Sequence, residues 1–266
     1  MAHANKREEA MSGKLIGRCF TVALLVAGVS CLHAEPASHA GEVAKALADP
    51  GRAFQRGDDT RRHPAELVGL SGVHSGQHVL DLIPGNGYWT RIFSKIVGPK
   101  GKVYAVWPEA YGKLAKGDVA KLNAIAADPA YSNVVVQVQP SVNLTAPEPL
   151  DLIWTSQNYH DYGDPFMGKP GTAAFAKMAY RALKPGGTFI VIDHKSAAGH
   201  GTADTDTLHR IDPATVIQEA KAAGFEYAGK SDILLNPKDP LTIPVFDKVI
   251  RGHTSQFALK FRKPSK

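Results

Sequence analysis

Two stretches of this 266-residue chain concentrate side chains able to move protons or hold a ligand. One is Ser156-Gln157-Asn158-Tyr159-His160-Asp161-Tyr162. The other is Asp193-His194-Lys195, followed at a distance by His209-Arg210-Ile211-Asp212. A neutral imidazole at His160 takes a proton from a hydroxyl or amine as that atom attacks an electrophile, with Asp161 or Asp193 orienting the ring. Tyr159 and Tyr162 are candidates to line the pocket or to meet a cation through their rings. The set His160, Asp161, Asp193, His194 and His209 also suits zinc or another divalent ion, although its spacing matches no compact motif such as His-Glu-x-x-His. No Gly-x-Ser-x-Gly elbow is present, which argues against a serine hydrolase. No Gly-x-x-x-x-Gly-Lys-Ser/Thr loop is present, which argues against a nucleotide-hydrolysing P-loop.

These groups need a scaffold, and the chain supplies one that alternates in type. His78–Ile83 reads as a buried strand and Thr90–Val97 as a helix with Ile92, Phe93, Ile96 and Val97 on one side. Strands follow at Lys102–Trp107, Asn133–Val138, Leu150–Thr155 and Thr188–Asp193, separated by helices at Lys113–Ala127 and Thr172–Leu183. A helix over Pro213–Ala223 starts at the N-cap Asp212 and stops at Gly224. Strands near Glu226–Leu235 and Gln256–Phe261, joined by the loop from Asn236 to Val245, read as an antiparallel hairpin at the sheet edge. The implied fold class is α/β: a doubly wound, seven-stranded, mostly parallel, Rossmann-like sheet closed by a C-terminal antiparallel hairpin. In such sheets ligands bind beyond the carboxyl ends of the strands, so His160 and Asp193-His194 should converge on the turn after the first strand. That turn, Pro84-Gly85-Asn86-Gly87-Tyr88, has two glycines that permit close backbone approach, and the next helix points its N-terminal amides over it.

Ahead of this region lie a short helix from Glu42 to Leu47, a polar segment from Arg52 to His63 containing Asp58, Asp59, Arg61 and Arg62, and a helix opening at Pro64. Further upstream, Lys14 and Arg18 precede an apolar run from Cys19 to Leu32 that ends at His33-Ala34. A basic flank, a short apolar core and a small residue are the parts of a secretory signal, and the run is short for a permanent membrane span. The expected organisation is a signal peptide over 1–34, an N-terminal extension over 35–64 and the α/β domain over 65–266. The expected location is periplasmic, or cytoplasmic if the leader does not work. Both cysteines, Cys19 and Cys31, lie in the leader, which leaves the remainder without disulfides or cysteine metal ligands. The net charge is +6, and without the first 34 residues 27 basic groups face 23 acidic ones. That excess is scattered and not interleaved with aromatics, so nucleic acid is not an expected partner.

The turn Asp81–Tyr88, the strands Val103–Trp107 and Asp151–Thr155, and the step Leu183-Lys184-Pro185-Gly186-Gly187 stand in the order seen in class I S-adenosylmethionine-dependent methyltransferases, and the chain resembles that family from about Ala65 to Lys263. With Val97-Gly98-Pro99-Lys100-Gly101, the turn looks like that of a bacterial group of predicted, often exported methyltransferases. The resemblance implies S-adenosylmethionine as cofactor and a small-molecule methyl acceptor. It places Asp81, Pro84, Gly85, Asn86, Gly87 and Tyr88 against the methionine part of the cofactor, Trp107 and Glu109 near the ribose, Gln139 or Ser141 near the adenine, and Ser156 on the same rim. His160, Asp161, Tyr159 and His194 are the implied catalytic or acceptor-side groups, with no resident metal. Ile83 departs from the family pattern, standing where it has its first glycine. Two other readings use the same residues: an exported ligand-binding protein without catalysis, and a metal-assisted hydrolase built on the His/Asp cluster.

Overall fold

The computed structural model describes residues 35–168 and 170–266. The expected signal peptide, with Cys19 and Cys31, lies outside them. A seven-stranded sheet has the order β3-β2-β1-β4-β5-β7-β6, where β1 is His78–Leu82, β2 Lys102–Pro108, β3 Val134–Gln139, β4 Leu150–Ser156, β5 Leu183–His194, β6 Glu226–Ser231 and β7 Gln256–Arg262. β1 to β5 run parallel, while β7 pairs antiparallel with both β5 and β6. The α/β architecture with a closing antiparallel pair is the one expected from sequence.

The central strands are apolar on both faces because helices cover both sides. Val79, Leu80, Ile153, Trp154, Phe189, Ile190 and Val191 are fully buried. The helices are α1 (Glu35–Leu47), α2 (Asp59–Arg62), α3 (Pro64–Ser71), α4 (Tyr88–Val97), α5 (Glu109–Leu114), α6 (Lys116–Ala127), α7 (Thr172–Ala182), α8 (Thr205–Leu208) and α9 (Pro213–Ala223). α4 lays Ile92, Phe93, Ile96 and Val97 into the core, and Trp89 and Phe93 pack on Trp154 with ring centroids 4.7 and 5.1 Å away. α9 begins as its sequence demands: the Asp212 carboxylate accepts the Ala214 N–H at 2.9 Å, and Gly224 ends the helix in the left-handed region at φ 108°.

Three local expectations change. The stretch read as one helix over Lys113–Ala127 is two, α5 and α6, broken at Ala115 (φ −102°, ψ 33°). The polar segment from Arg52 to His63, to which the sequence pattern assigns no element, lies in a 3₁₀ turn over Pro50–Asp58 and then α2. Asp59 ties this segment together, accepting from Arg52 at 2.6 Å and from the Tyr88 hydroxyl at 2.5 Å. Last, the connection between β6 and β7 is no short hairpin loop, since β6 stops at Ser231 and the chain returns to the sheet only at Gln256. Arg210 and Asp239 pin this excursion through a fully buried bidentate pair at 2.8 and 3.0 Å. Arg210 Nε also donates to the Ile243 carbonyl at 3.1 Å.

Candidate active site

A cavity of about 880 Å³ opens at the carboxyl edge of the sheet. The turn after β1 forms one wall through Asp81, Ile83, Pro84, Gly85, Asn86 and Tyr88, and Trp107 closes the end of β2. Ser156, His160, Asp161 and His194 line it from the β4 and β5 side.

The turn keeps the shape that two glycines and a third left-handed residue give it. Gly85 and Gly87 have φ of 56° and 80°, and Ile83, despite its branched side chain, sits at φ 50°. This conformation is costly for a β-branched residue; it is held by burial and by the Ile83 N–H, which donates to the Val106 carbonyl at 2.9 Å. A Cβ on Gly85 would meet nothing within 4 Å, whereas one on Gly87 would lie 2.5 Å from Ile125 Cδ1. Gly85 therefore leaves the cavity open, and Gly87 makes room for α6. The N-terminal segment supports the turn from outside, where Gln55 Nε2 donates to the Asn86 carbonyl and side-chain oxygen, both at 3.3 Å.

Below the turn, the buried Asp81 accepts from Thr90 Oγ1 at 2.6 Å. Burial pushes its carboxyl up to about 7 against the opposing pull of Thr90 and Arg62. Arg62 lines the cavity with its guanidinium 4.6 Å above the Tyr88 ring centroid. Of the buried polar atoms without a hydrogen-bond partner, those of Arg62 (Nε), Trp89 (Nε1), Trp107 (Nε1) and Asn158 (Oδ1) belong to the cavity wall, while others, such as those of Arg52, Trp154 and Asp164, lie outside it. Buried polar groups are normally paired, and these four atoms have hydrogen-bonding capacity left for a polar ligand.

Across the cavity, His160 starts a 3₁₀ turn just beyond β4. Asp193, at the end of β5, grips it: one carboxylate oxygen accepts the His160 N–H at 2.8 Å and the other lies 2.8 Å from Nδ1. The opposite ring nitrogen, Nε2, is 3.3 Å from Asp161 Oδ1. Burial alone would lower the His160 pKa, but the charge and hydrogen bond of Asp193, with Asp161 and Asp164, raise it to about 9. At neutral pH the ligand-free ring thus carries its proton, unlike the neutral imidazole expected from sequence. Burial lifts Asp161 to about 7. His194 is driven down to about 3 by burial, and its Nδ1 lies 2.8 Å from Thr254 Oγ1, which makes it a neutral wall residue. His209, in the left-handed region at φ 53°, stands 5.5 Å from the His160 ring and 4.8 Å from that of Phe246 (centroid distances).

Several expected positions lie elsewhere. Tyr159 is fully buried and outside the cavity wall, its one hydroxyl hydrogen shared between Glu219 at 2.7 Å and the Thr172 carbonyl at 3.2 Å; it joins β4 to α7 and α9. Tyr162 stacks on Phe175 at 4.1 Å inside the core. Glu109 is exposed on α5 and outside the cavity wall; the carboxylate that the break between α5 and α6 brings to the wall is Asp118. Gln139 closes its own loop, exchanging hydrogen bonds with the Thr145 backbone at 2.7 and 2.9 Å. Sequence reasoning missed Arg62, Tyr111, Asp118, Phe166 and the pair Val245-Phe246, all in the wall. The first and last of these come from segments that read only as polar extension and loop.

No family model matches the chain. A curated relative, the ubiquinone/menaquinone biosynthesis C-methyltransferase UbiE of Saccharophagus degradans, is 31% identical over 128 residues. That match spans less than half of either protein, 47% of this chain and 46% of the relative. Among solved structures, a SAM-dependent methyltransferase from Aquifex aeolicus superposes with a TM-score of 0.52 at 21% identity, covering 84% of this chain and 97% of that one. The [4+2]-cyclase SpnF gives 0.58 at 17% identity over 82% and 86% of the two chains. The N-methyltransferase NodS of Bradyrhizobium japonicum gives 0.54 at 14% over 78% and 99%. Strand order and neighbours agree: this chain has the class I S-adenosylmethionine-dependent methyltransferase fold.

Proposed function

We propose that the chain binds S-adenosylmethionine over the Ile83–Tyr88 turn and catalyses methyl transfer to a small acceptor held between that turn and His160-Asp161. The observation that carries this reading is one cavity of about 880 Å³ walled both by the turn and by the His160-Asp161 pair, a volume in the range of small-molecule sites. The residues fit the cofactor. Gly85 has open space where a side chain would stand, and unpartnered polar atoms of Arg62, Trp89 and Trp107 await a polar ligand. In this reading Arg62 and Asp81 hold the carboxylate and ammonium of the amino-acid end, Trp107 and Asp118 border the ribose, and Ser156 lies on the rim. When bound, the cofactor supplies an electrophilic methyl group that leaves its sulfonium as the acceptor attacks. The chain's own share is chiefly to align the reactants and exclude water.

Tyr111, Phe166, Val245 and Phe246 make the acceptor side apolar and aromatic, which favours a planar, partly apolar acceptor. The UbiE relative is by its printed name a C-methyltransferase of quinone biosynthesis, in keeping with such an acceptor. Export remains part of the proposal, supported by the Lys14–Ala34 pattern, and fractionation of expressing cells tests it. Calorimetric titration with S-adenosylmethionine and S-adenosylhomocysteine tests the function. Stoichiometric heat with both is expected; a folded sample silent at millimolar ligand overturns the reading.

A further inference from the structure

The side of the cavity facing the turn holds more than the proposed methyl transfer needs. His160, Asp161 and His209 each present one ligand atom, and all three atoms lie within 4.8 Å of one another, the one such group of His, Cys, Asp or Glu among the described residues. We infer that these three residues form a binding site for a divalent first-row transition metal, open to the cavity and able to take an oxygen of the acceptor.

Geometry supports each ligand separately. A metal with bonds of about 2.0–2.1 Å to nitrogen needs tetrahedral ligand edges of about 3.3 Å, and His160 Nε2 and Asp161 Oδ1 are already 3.3 Å apart. Asp193 occupies the other ring nitrogen of His160 at 2.8 Å, which leaves Nε2 as the coordinating atom, the carboxylate–histidine–metal arrangement that fixes a ligand ring. Asp193 is held in turn by the backbone N–H groups of His160 and His194, at 2.8 and 2.7 Å. Asn158 Nδ2 approaches the far oxygen of Asp161 at 3.4 Å, which keeps Oδ1 turned to the site. His209 is half-exposed, and its ligand atom lies within 4.8 Å of the other two. Its left-handed backbone is one of three non-glycine positive-φ positions in the cavity wall, with Ile83 and Gln157. Such strain gathers at ligand sites.

The chemistry of the set is selective. Two imidazoles and one carboxylate suit zinc, iron(II), manganese, cobalt or nickel, whereas magnesium and calcium prefer all-oxygen sites. On binding, the metal replaces the proton on His160 Nε2, and that proton passes to solvent. Three protein ligands leave one or more positions for the cavity that Tyr111, Phe166 and Phe246 also line, where a phenol or similar hydroxyl oxygen of the acceptor coordinates. This acceptor role rests on the methyl-transfer reading; the metal site does not.

The test uses the full chain after chelator treatment, titrated with cobalt(II) and followed by its visible absorption. One cobalt per chain is expected. His209→Ala and Asp161→Asn should each weaken binding at least ten-fold, while His200→Ala, on the exposed Asp204 pair outside the cavity, leaves it unchanged. Because a ligand variant can fail to fold, each is melted by circular dichroism, and His209→Asp, which restores a donor, should recover part of the affinity. No stoichiometric cobalt on the wild type, or wild-type affinity in both His209→Ala and Asp161→Asn, overturns the site. S-adenosylhomocysteine titrated into the same metal-free protein separates the two readings. Heat there with no cobalt binding sinks the metal site alone, and cobalt binding with no heat sinks the methyl-transfer reading alone.

Discussion

Asp193 holds His160 at two points: one oxygen of the fully buried carboxylate accepts its backbone N–H and the other faces its ring Nδ1, both at 2.8 Å. The first contact fixes where the chain leaves β4, and the second fixes how the ring faces the cavity. Removing one member of a buried pair strands the other, at a cost of about 3–5 kcal/mol. Asp193→Ala is therefore expected to lose stability of that order in urea denaturation. A loss below about 1 kcal/mol would show that the pair is not the anchor of this loop.

Asp81 gives the fold a pH dependence of opposite sign to an ordinary paired carboxylate. Its native pKa is raised to about 7 by burial, opposed by Thr90 and by the charge of Arg62. Between the ordinary carboxylate value of about 4 and that raised value, the native state binds more protons than the unfolded chain, so its stability contribution falls as pH rises. Above pH 7 the full cost is present. Asp81→Asn should flatten this slope and make the protein more stable at pH 8, while weakening the cofactor if Asp81 faces its ammonium. Urea midpoints at pH 5, 6, 7 and 8 check the first expectation; an unchanged slope in the variant refutes it.

The two turn glycines should separate stability from binding. Gly85→Ala places its methyl in open space toward the cavity, with only the left-handed backbone cost of about 1–2 kcal/mol. Gly87→Ala has the same left-handed backbone cost at φ 80° and adds a contact 2.5 Å from Ile125 Cδ1, so that the Ile125 side chain must shift within the core. Of the two, Gly85→Ala should remain folded and lose S-adenosylmethionine affinity, whereas Gly87→Ala should lose mainly melting temperature. Equal affinity for wild type and Gly85→Ala would remove the turn from the cofactor site.

What the sequence displayed and what it hid follow from range. Strand and helix types were legible because burial on both faces of β1, β4 and β5 leaves continuous apolar runs, and because Asp212 and Gly224 mark the ends of α9 within a few residues. His160 and Asp193 were legible as a converging pair because both follow strands at the same edge of the sheet. Tyr159 reads as a site residue because it adjoins His160, yet one step along the chain turns its side chain the other way, toward Glu219. Glu109 reads as the ribose carboxylate because it is the nearest acidic residue after the second strand, and the break at Ala115 that precedes Asp118 leaves no local signal beyond Gly112 and Gly117. The arch from 232 to 255 depends on Arg210 meeting Asp239, a pairing between loops that no periodicity encodes.

Arg62 is the position where a segment outside the resembling region meets the cavity. Arg52, whose guanidinium also lies over the Tyr88 ring at 5.1 Å, is paired with Asp59 at 2.6 Å. Arg62 forms no ion pair among the described residues and keeps Nε unpartnered at the cavity wall. A guanidinium so placed suits a carboxylate, which it binds with charge-assisted hydrogen bonds of about 1.5–3 kcal/mol. Arg62→Gln should then weaken S-adenosylhomocysteine roughly ten- to hundred-fold. It should leave methylthioadenosine, which lacks the amino-acid end, bound as by the wild type. Calorimetry of both ligands on both proteins measures the difference directly. If the variant loses the two ligands equally, Arg62 supports the turn through Tyr88 and does not touch the carboxylate.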